Sequence, residues 1–246
     1  MHKYKITLEY DGTDYVGWQR QENGNSIQAA IEKAIEKLTL EKATVFGAGR
    51  TDAGVHAKGQ VAHFDIKKNF TIDNIRDGLN QHLRPQPISI IKVEKATEEF
   101  HARFSATMRA YQYVIINRRS PLTIERGRAW LVARPLDATA MSAAGKHLIG
   151  RHDFTSFRAS ECQAASPVKT LNLLHSVRAG DRINITAEAR SFLHRQVRNI
   201  VGTLVMVGEG KIAPDQVATI LGDRNRESAG PCAPPDGLYL AAISYD

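Results

Sequence analysis

The sequence predicts an α+β fold built from two subdomains with mainly antiparallel sheets. Short segments with alternating or β-branched apolar residues indicate strands, and segments with apolar residues three and four positions apart indicate helices between them. The hydrophobic fraction of 42% over 246 residues is sufficient for a sizeable core, as one large domain or two small ones.

The first half reads as strand, helix, strand, strand, helix, strand. Ser26 and Thr71 are suitable N-caps for the two helices, because apolar residues recur at helical spacing after each of them. This order is that of the split β-α-β, or ferredoxin-like, motif, whose antiparallel sheet leaves one face open to a ligand such as RNA. Strands are expected at 5–10, around 43–47, around 59–66 and at 88–93.

The second half again mixes strands and helices. We expect residues 1–105 to form an N-terminal subdomain and residues 106–246 a C-terminal one, both ferredoxin-like (RNP-like), with a catalytic cleft between them. Pro214 is expected to open a helix at its first turn. The other elements expected here are strands at 108–117, 168–178 and 182–190 and helices near 137–149 and 193–204.

The composition excludes several classes of protein. No run of about 18 apolar residues is present, so a membrane span is not expected. The first residues pass directly into a strand pattern without an apolar signal region, which favours a cytoplasmic protein. Cys162 and Cys232 lack CxxC spacing and the nine histidines follow no metal-ligand pattern, so no metal site is expected.

The charge balance favours a polyanionic partner. Thirty-three Lys and Arg against 26 Asp and Glu give a net charge of +7. Arginine is suited to bidentate phosphate binding, although a solvated basic face would have the same composition. Arginines cluster in two regions, at positions 118, 119, 126, 128 and 134 and at positions 190, 195 and 198.

A glycine-rich segment, residues 47–57, carries one carboxylate, Asp52, between two predicted strands. Loops between strands often display catalytic groups, and glycine lets a ligand approach the backbone closely. Arg50 can keep the carboxylate ionised or bind a phosphate. The simpler interpretation is a turn in which Asp52 bonds its own backbone and Gly54 takes positive φ. A phosphate-binding P-loop is excluded, because the Gly-Lys-Ser/Thr ending is missing.

Residues 49–56 read Gly-Arg-Thr-Asp-Ala-Gly-Val-His, and this stretch resembles the catalytic loop of the tRNA pseudouridine synthase A family without interruption. The resemblance continues along almost the whole chain. The other matching segments are Glu9-Tyr10-Asp11-Gly12, Tyr15, Gly17-Trp18-Gln19-Arg20-Gln21, Phe100-His101-Ala102-Arg103-Phe104-Ser105-Ala106, Asp153-Phe154-Thr155-Ser156-Phe157, Val197-Arg198-Asn199-Ile200-Val201-Gly202 and Gly237-Leu238-Tyr239-Leu240.

The resemblance implies an isomerase that converts uridine to pseudouridine at positions 38, 39 and 40 in the anticodon stem-loop of tRNA. The reaction breaks the N1–C1′ bond, turns the base and rejoins it through C5, so no cofactor is expected. Asp52 is the expected catalytic residue, either as nucleophile at C1′ or as base toward the 2′ proton, and both routes stay open. The target base must leave the RNA stack. The resemblance also implies a homodimer, with one tRNA lying across both subunits.

The resemblance assigns roles to further residues. Tyr111 matches the aromatic residue that stacks on the flipped base, and Leu238 matches an apolar residue of the base pocket; either could instead be a plain core position. Arg50 matches the residue that enters the RNA helix beside the displaced base. Arg198 matches the basic residue that pairs with the catalytic Asp, but Arg195 stands where the family often has another residue and is a second candidate. Expected contacts to the RNA backbone are Arg20, Lys58, His101 and Arg103.

Two other functions are compatible with the residues. A non-catalytic RNA-binding module or RNA chaperone would use the same basic surface and would not need Asp52. A hydrolase would use Asp52 with His56 or His63 on a nucleoside or a phosphodiester. The three hypotheses differ in their products, since only an isomerase leaves the mass of the RNA unchanged.

Overall fold

The computed structural model describes residues 1–22 and 24–246 and divides into two compact units. The first unit comprises Met1–Thr107 together with Tyr239–Asp246, and the second comprises Met108–Leu238. The predicted domain boundary after residue 105 stays a prediction. By packing, however, the strand that follows residue 238 lies with the first unit, although the predicted C-terminal subdomain included it.

The helices and strands are named here in chain order. They are β1 (His2–Tyr10), α1 (Ile27–Thr39), β2 (Phe46–Gly47), β3 (His56–Ile66), α2 (Ile72–Leu83), β4 (Ile88–Lys95), β5 (Ala106–Ile116), β6 (Trp130–Leu131), α3 (Ala138–Lys146), β7 (Gly150–Asp153), β8 (Val168–Ala179), β9 (Arg182–Ala189), α4 (Gln196–Gly208), α5 (Gln216–Asp223) and β10 (Leu238–Tyr245).

The sheet of the first unit has the strand order β4-β1-β3-β10. Strand β1 is antiparallel to both β3 and β4, β2 pairs antiparallel with β3, and β10 runs parallel to β3. The alternation in β1 buries one face of the strand, because successive side chains point to opposite sides. The side chains on that face are Tyr4, Ile6, Leu8 and Tyr10.

The two helices of the first unit begin where the sequence predicts. The side chain of Ser26 accepts a hydrogen bond from the Ala29 N–H group, and that of Thr71 accepts one from Asn74. Each helix buries an apolar stripe, and the helices pack against one another. Among the described residues, no helix is both long enough and apolar enough to cross a membrane.

The sheet of the second unit has the strand order β5-β9-β8-β7, and all three pairings are antiparallel. The short strand β6 adds a parallel pairing to β5. Helix α3 packs on β8 and on α4, and α5 packs against the short 3-10 helix at Thr155–Phe157. The predicted α+β class with mainly antiparallel sheets is therefore confirmed.

Two local expectations differ from the structure, and the strand β7 was not expected. The strand expected around 43–47 is only β2, because α1 satisfies the Val45 backbone: Glu32 accepts from its N–H at 3.1 Å and the Gln28 side chain donates to its carbonyl at 3.1 Å. Helix α5 starts at Gln216 with Asp215 as its N-cap, so Pro214 precedes the helix and is not in its first turn. Strand β7 was not predicted, because it is a short polar strand at a sheet edge.

Candidate active site

The glycine-rich loop of residues 48–55 connects β2 to β3 and is fixed at its start by β3 itself. Phe46 pairs with His63 and Gly47 with Ala62. The pairing continues one step into the loop, because the Ala48 N–H donates to the Val61 carbonyl at 2.8 Å. The buried side chain of Gln60 then donates to the Gly49 carbonyl at 2.8 Å. The first residues of the loop therefore continue the antiparallel pairing of β2 with β3.

Asp52 occupies the first position of a tight turn. The Val55 N–H donates to the Asp52 carbonyl at 3.1 Å, and Gly54 at the third position has a φ of 76°, as a type II turn requires. The predicted turn chemistry at Gly54 is thus present, and the backbone carbonyl of Asp52 closes the turn. The Asp52 side chain is half-buried, whereas the neighbouring Arg50 is exposed.

The chain segment 10–18 holds the other side of this loop. The Tyr10 hydroxyl lies 2.8 Å from the Thr51 hydroxyl, and the Trp18 N–H donates to the Thr51 carbonyl at 3.0 Å. The Gly54 N–H donates to the Tyr15 carbonyl at 3.3 Å. Hydrogen bonds from two separate segments thus fix the residues on both sides of Asp52. Such preorganisation is what a catalytic group needs, because a loosely held group loses its productive geometry.

His56, the first residue of β3, is buried and contacts both segment 10–18 and strand β10. Its Nδ1 accepts a hydrogen bond from the Gly12 N–H at 3.0 Å and lies 3.1 Å from Asp11 Oδ1. Its ring stacks on the Tyr239 ring of β10 with the centroids 4.8 Å apart. The Lys58 ammonium lies 4.8 Å from the centroid of the same tyrosine ring. His56 therefore connects the end of the Asp52 loop to β10.

His63 is buried and hydrogen-bonded to the backbone. Its Nδ1 accepts from the Ala102 N–H at 3.1 Å, and a further hydrogen bond joins it to the Phe46 backbone. Burial, and then the nearby Lys3, lowers the pKa of His63 to about 4. It lies seven residues beyond His56 on β3, which corresponds to roughly 23 Å along a strand. The position of His63 along β3 and its backbone hydrogen bond therefore disfavour it as the partner of Asp52 in the hydrolase hypothesis.

The predicted RNA contacts of the first unit differ in their surroundings. Arg20 is exposed but forms an ion pair with Glu32 at 2.9 Å. Lys58 and Arg103 are exposed and His101 is half-buried. The pKa of His101 is lowered, mainly by burial. Because the positively charged form is then disfavoured, His101 is a weaker phosphate ligand than an arginine.

Tyr111 lies on β5 in the second unit and is half-buried. It pairs across the sheet with Ala187, whose side chain is small. The edge of the Phe192 ring meets the Tyr111 ring at a centroid distance of 5.2 Å and an angle of 88°. Phe192 thus fixes the orientation of the Tyr111 ring, a role that the sequence analysis missed.

Arg198 lies on α4, where its side chain is tied to the segment before β10. Its Nε donates to the Ala233 carbonyl at 2.7 Å, and the Ala233 N–H donates to the Arg198 carbonyl at 3.1 Å. The Tyr113 hydroxyl donates to the neighbouring Pro234 carbonyl at 2.8 Å, and burial raises the pKa of Tyr113. Leu238, a few residues further on, is buried at the start of β10.

Arg195 has a different environment from Arg198. It is the N-cap of α4 with a φ of 58°, an uncommon conformation for a residue with a side chain. Its side chain lines a cavity of about 350 Å³ in the second unit, together with Arg158 and Arg226. Among the described residues, no group of three or more His, Cys, Asp or Glu side chains is arranged to hold a metal ion.

The structure thus groups the predicted site residues by unit. Asp52, Arg50, Lys58 and Arg20 belong to the first unit, as do His101 and Arg103, while Tyr111, Arg198 and Leu238 belong to the second. Sequence reasoning missed the supports of these residues. One signal was available, since Tyr10 and Thr51 both fall in segments that match the family and both carry a hydroxyl.

Comparison with known proteins gives matches over the whole chain. Residues 6–105 and 144–246 match the model of a family described as tRNA pseudouridine synthase. The tRNA pseudouridine synthase A of Paramagnetospirillum magneticum is 54% identical over 245 residues, which cover 100% of this chain and 96% of the relative. The proteins of the same name from Nitrobacter hamburgensis and Rhodospirillum centenum are each 54% identical over 245 residues, covering 100% of both chains.

Proposed function

Because the chain belongs to the tRNA pseudouridine synthase family and is an isomerase of uridine in tRNA, we propose that its targets are positions 38, 39 and 40 of the anticodon stem-loop and that Asp52 is its catalytic carboxylate. The observation that carries the role of Asp52 is its position on a turn fixed from both sides by hydrogen bonds to segment 10–18 and to β3. A side chain held in this way meets its substrate in one geometry.

The chemistry needs one carboxylate and no redox partner. The N1–C1′ bond breaks, the base turns, a C5–C1′ bond forms, and the proton on C5 is lost while N1 gains one, so the product is an isomer of the same mass. Asp52 acts either as nucleophile at C1′ or as the base that removes the 2′ proton. Both routes require an ionised Asp52 close to the sugar of the flipped nucleotide.

The flipped base needs a stacking surface and an apolar wall. We assign the stacking surface to Tyr111, whose ring is held by the edge of Phe192, and the wall to Leu238. Arg50 is exposed beside the Asp52 turn, and its planar guanidinium is suited to filling the space that the base vacates. That contact would offset part of the unstacking cost of a few kcal/mol.

The remaining assignments concern charge. Pairing of Asp52 with Arg198 stays a prediction from the resemblance, as does the alternative with Arg195. Arg20, Lys58, His101 and Arg103 are proposed to contact the RNA backbone, and Arg20 does so less strongly because Glu32 already neutralises it. No cofactor is required by this chemistry.

The test of Asp52 is the Asp52→Asn variant, which keeps the shape of the side chain and removes its charge. We expect pseudouridine formation in a tRNA transcript to fall by at least about 10³-fold, because both routes need the carboxylate. Affinity for tRNA should stay within a fewfold of the wild type. Pseudouridine is mapped by carbodiimide treatment and primer extension, and affinity is measured by titration without metal or cofactor.

The matched control is Asp65→Asn, a half-buried carboxylate on β3 whose partner is Lys3 at 3.5 Å. It should retain normal turnover. Full activity of Asp52→Asn would contradict the catalytic role. Tight tRNA binding without pseudouridine in the wild type would favour the RNA-binding module, and cleaved strands or released base would favour the hydrolase.

A homodimer with one tRNA across both subunits is also proposed, on the basis of the family. Sedimentation at micromolar concentration should give a species of about twice the chain mass of 27.2 kDa. A single species at 27.2 kDa under these conditions, with full activity, would contradict the dimer.

A further inference from the structure

Three rings of the first unit form a surface cluster, and of these only His101 has a role in the proposed function, as a contact to the RNA backbone. We call Phe46, His101 and Phe104 the ring platform. The Phe46 and His101 rings lie 5.7 Å apart and the His101 and Phe104 rings 4.4 Å apart, measured between centroids. Phe104 is 72% exposed and Phe46 44% exposed. Two phenyl rings, each in contact with the His101 ring, thus present apolar surface to solvent.

The ring platform rests on a buried support. His63, which is buried, stacks on Phe46 at 5.1 Å and meets His101 edge-on at 4.7 Å. The Phe100 ring meets His63 from another side at 5.9 Å. The exposed rings are therefore the outer layer of a packed aromatic group rather than isolated surface side chains.

The segment that carries His101 and Phe104 is held rigidly. The Ser105 N–H donates to the His101 carbonyl at 2.9 Å, and the Ser105 hydroxyl accepts from the His101 N–H at 3.1 Å. The His101 Nδ1 accepts from the Arg103 N–H at 3.1 Å, and the Tyr245 hydroxyl donates to the Ala102 carbonyl at 2.8 Å. A ring presented on such a fixed turn loses little conformational freedom when a ligand binds.

Two cations, Lys3 and Arg103, lie close to members of the ring platform. The Arg103 guanidinium lies 5.7 Å from the centroid of the Phe104 ring. Lys3 and Arg103 are both close enough to act on the charge of His101. Apolar ring faces next to positive charge are complementary to a nucleotide, which combines a flat base with a phosphate, and they are less suited to an apolar protein surface.

We propose that the ring platform stacks an unpaired base of the bound tRNA, at a site separate from the base that reacts at Asp52. The inference rests on the proposed function only in taking tRNA as the ligand. Phe46 precedes Asp52 by six residues, which span at most about 20 Å, so one RNA molecule can contact both places. Stacking on aromatic rings tolerates any base, because every base has a π-face.

The test measures tRNA affinity of Phe46→Leu, Phe104→Leu and the double variant over a series of salt concentrations. Leucine keeps apolar bulk but has no ring face. We expect each single variant to bind about 5-fold to 100-fold more weakly, with an unchanged slope of log K against log salt. Arg103→Ala should instead make that slope less steep by up to about one unit.

Two control variants make the result specific. Phe104→Tyr keeps an aromatic ring at this position and should bind tRNA with wild-type affinity. Ile91→Ala changes a side chain of the same unit that is 49% exposed, and should have no effect. Circular dichroism and thermal unfolding of each variant establish that it is folded, as expected for exposed positions.

Unchanged affinity of the folded double variant would overturn the proposal. Altered sedimentation of Phe104→Leu with unchanged tRNA affinity would overturn it in favour of contact with a second copy of the chain. At saturating tRNA the platform variants should make pseudouridine at the wild-type rate, and a lost rate with normal affinity would also overturn it. The two proposals can also fail separately. If the wild type makes no pseudouridine but the platform variants still bind tRNA more weakly, the ring platform is supported and the proposed function is contradicted.

Discussion

His63 illustrates how a polar residue can be part of a core. Its ring stacks on the Phe46 ring and makes T-shaped contacts with the Phe100 and His101 rings. Its nitrogens form hydrogen bonds to the backbone of β2 and of residues 101–105. The ring accepts at Nδ1, so it must be uncharged there. Protonation would remove an acceptor in a buried place.

The stability of the protein should therefore depend on pH through His63. Its folded pKa of about 4 is below the unfolded value of about 6.5, so the unfolded chain binds the proton more readily. Stability is then highest above pH 6.5 and falls as the pH is lowered toward 4, by on the order of 2–3 kcal/mol. Urea unfolding at pH 7.5 and pH 4.5 measures the difference.

His63→Asn separates this group from the other titrating residues, because the asparagine oxygen can accept the Ala102 hydrogen bond without titrating. The variant should be less stable than the wild type at pH 7.5 and should lose less stability between the two pH values. An equal loss in both proteins would contradict the role of His63.

Residue roles could be predicted only where neighbouring residues in the sequence form a recognisable pattern. Asp52 was singled out by its glycine-rich surroundings and by the resemblance, and its catalytic role stays a prediction. Ser26 and Thr71 were predicted as caps, since a cap depends on the few residues after it. Phe192 was missed, because its contact with Tyr111 spans two elements and has no pattern along the chain.

At the scale of elements, the Asp52 loop and segment 10–18 behave as one structure. Gly17 has a φ of 112°, and a Cβ there would lie 2.5 Å from the Thr51 carbonyl oxygen. The backbone of the Asp52 loop passes so close to Gly17 that a side chain at position 17 has no room. This close packing gives a physical reason for glycine at position 17, which lies in the family-matching segment Gly17-Trp18-Gln19-Arg20-Gln21.

Gly17→Ala should destabilise the protein and lower turnover, because it combines a positive φ with a collision against the loop backbone. The matched variant is Gly210→Ala, which also has a positive φ, 72°, but has no atom within 4 Å of the added Cβ. It should cost about 1–2 kcal/mol of stability and leave turnover intact.

Thermal unfolding and pseudouridine formation should be measured for both glycine variants. Equal losses of stability, or a normal turnover number for Gly17→Ala, would show that segment 10–18 does not set the position of the loop.

Element boundaries were predictable where hydrophobic periodicity decides them. The long strands β8 and β9 were predicted within one residue at each end, whereas β2 was overestimated because contacts to α1 replace its pairing at Val45. Strand β7 carries polar residues at a sheet edge, where it pairs with β8. Pairing with a distant neighbour leaves no signal in such a short segment.

At the scale of the whole molecule, the sequence predicted the α+β class but not the path of the chain. Tyr239 and Leu240 pair with β3, and Tyr239–Asp246 belong to the first unit, which is therefore built from both ends of the sequence. Strand partners far apart in the chain cannot be read from local pattern, because register depends on which faces become buried together.

The parallel pairing of β10 with β3 has a consequence for synthesis. Tyr239 and Leu240 pair with His56 and Ala57, directly after the loop that carries Asp52. A ribosome translates Asp52 early, yet the strand beside its loop emerges only after the whole second unit has been made. A nascent chain that stops short of residue 239 therefore contains Asp52 without the strand that pairs directly after its loop, and we expect such a chain not to modify tRNA.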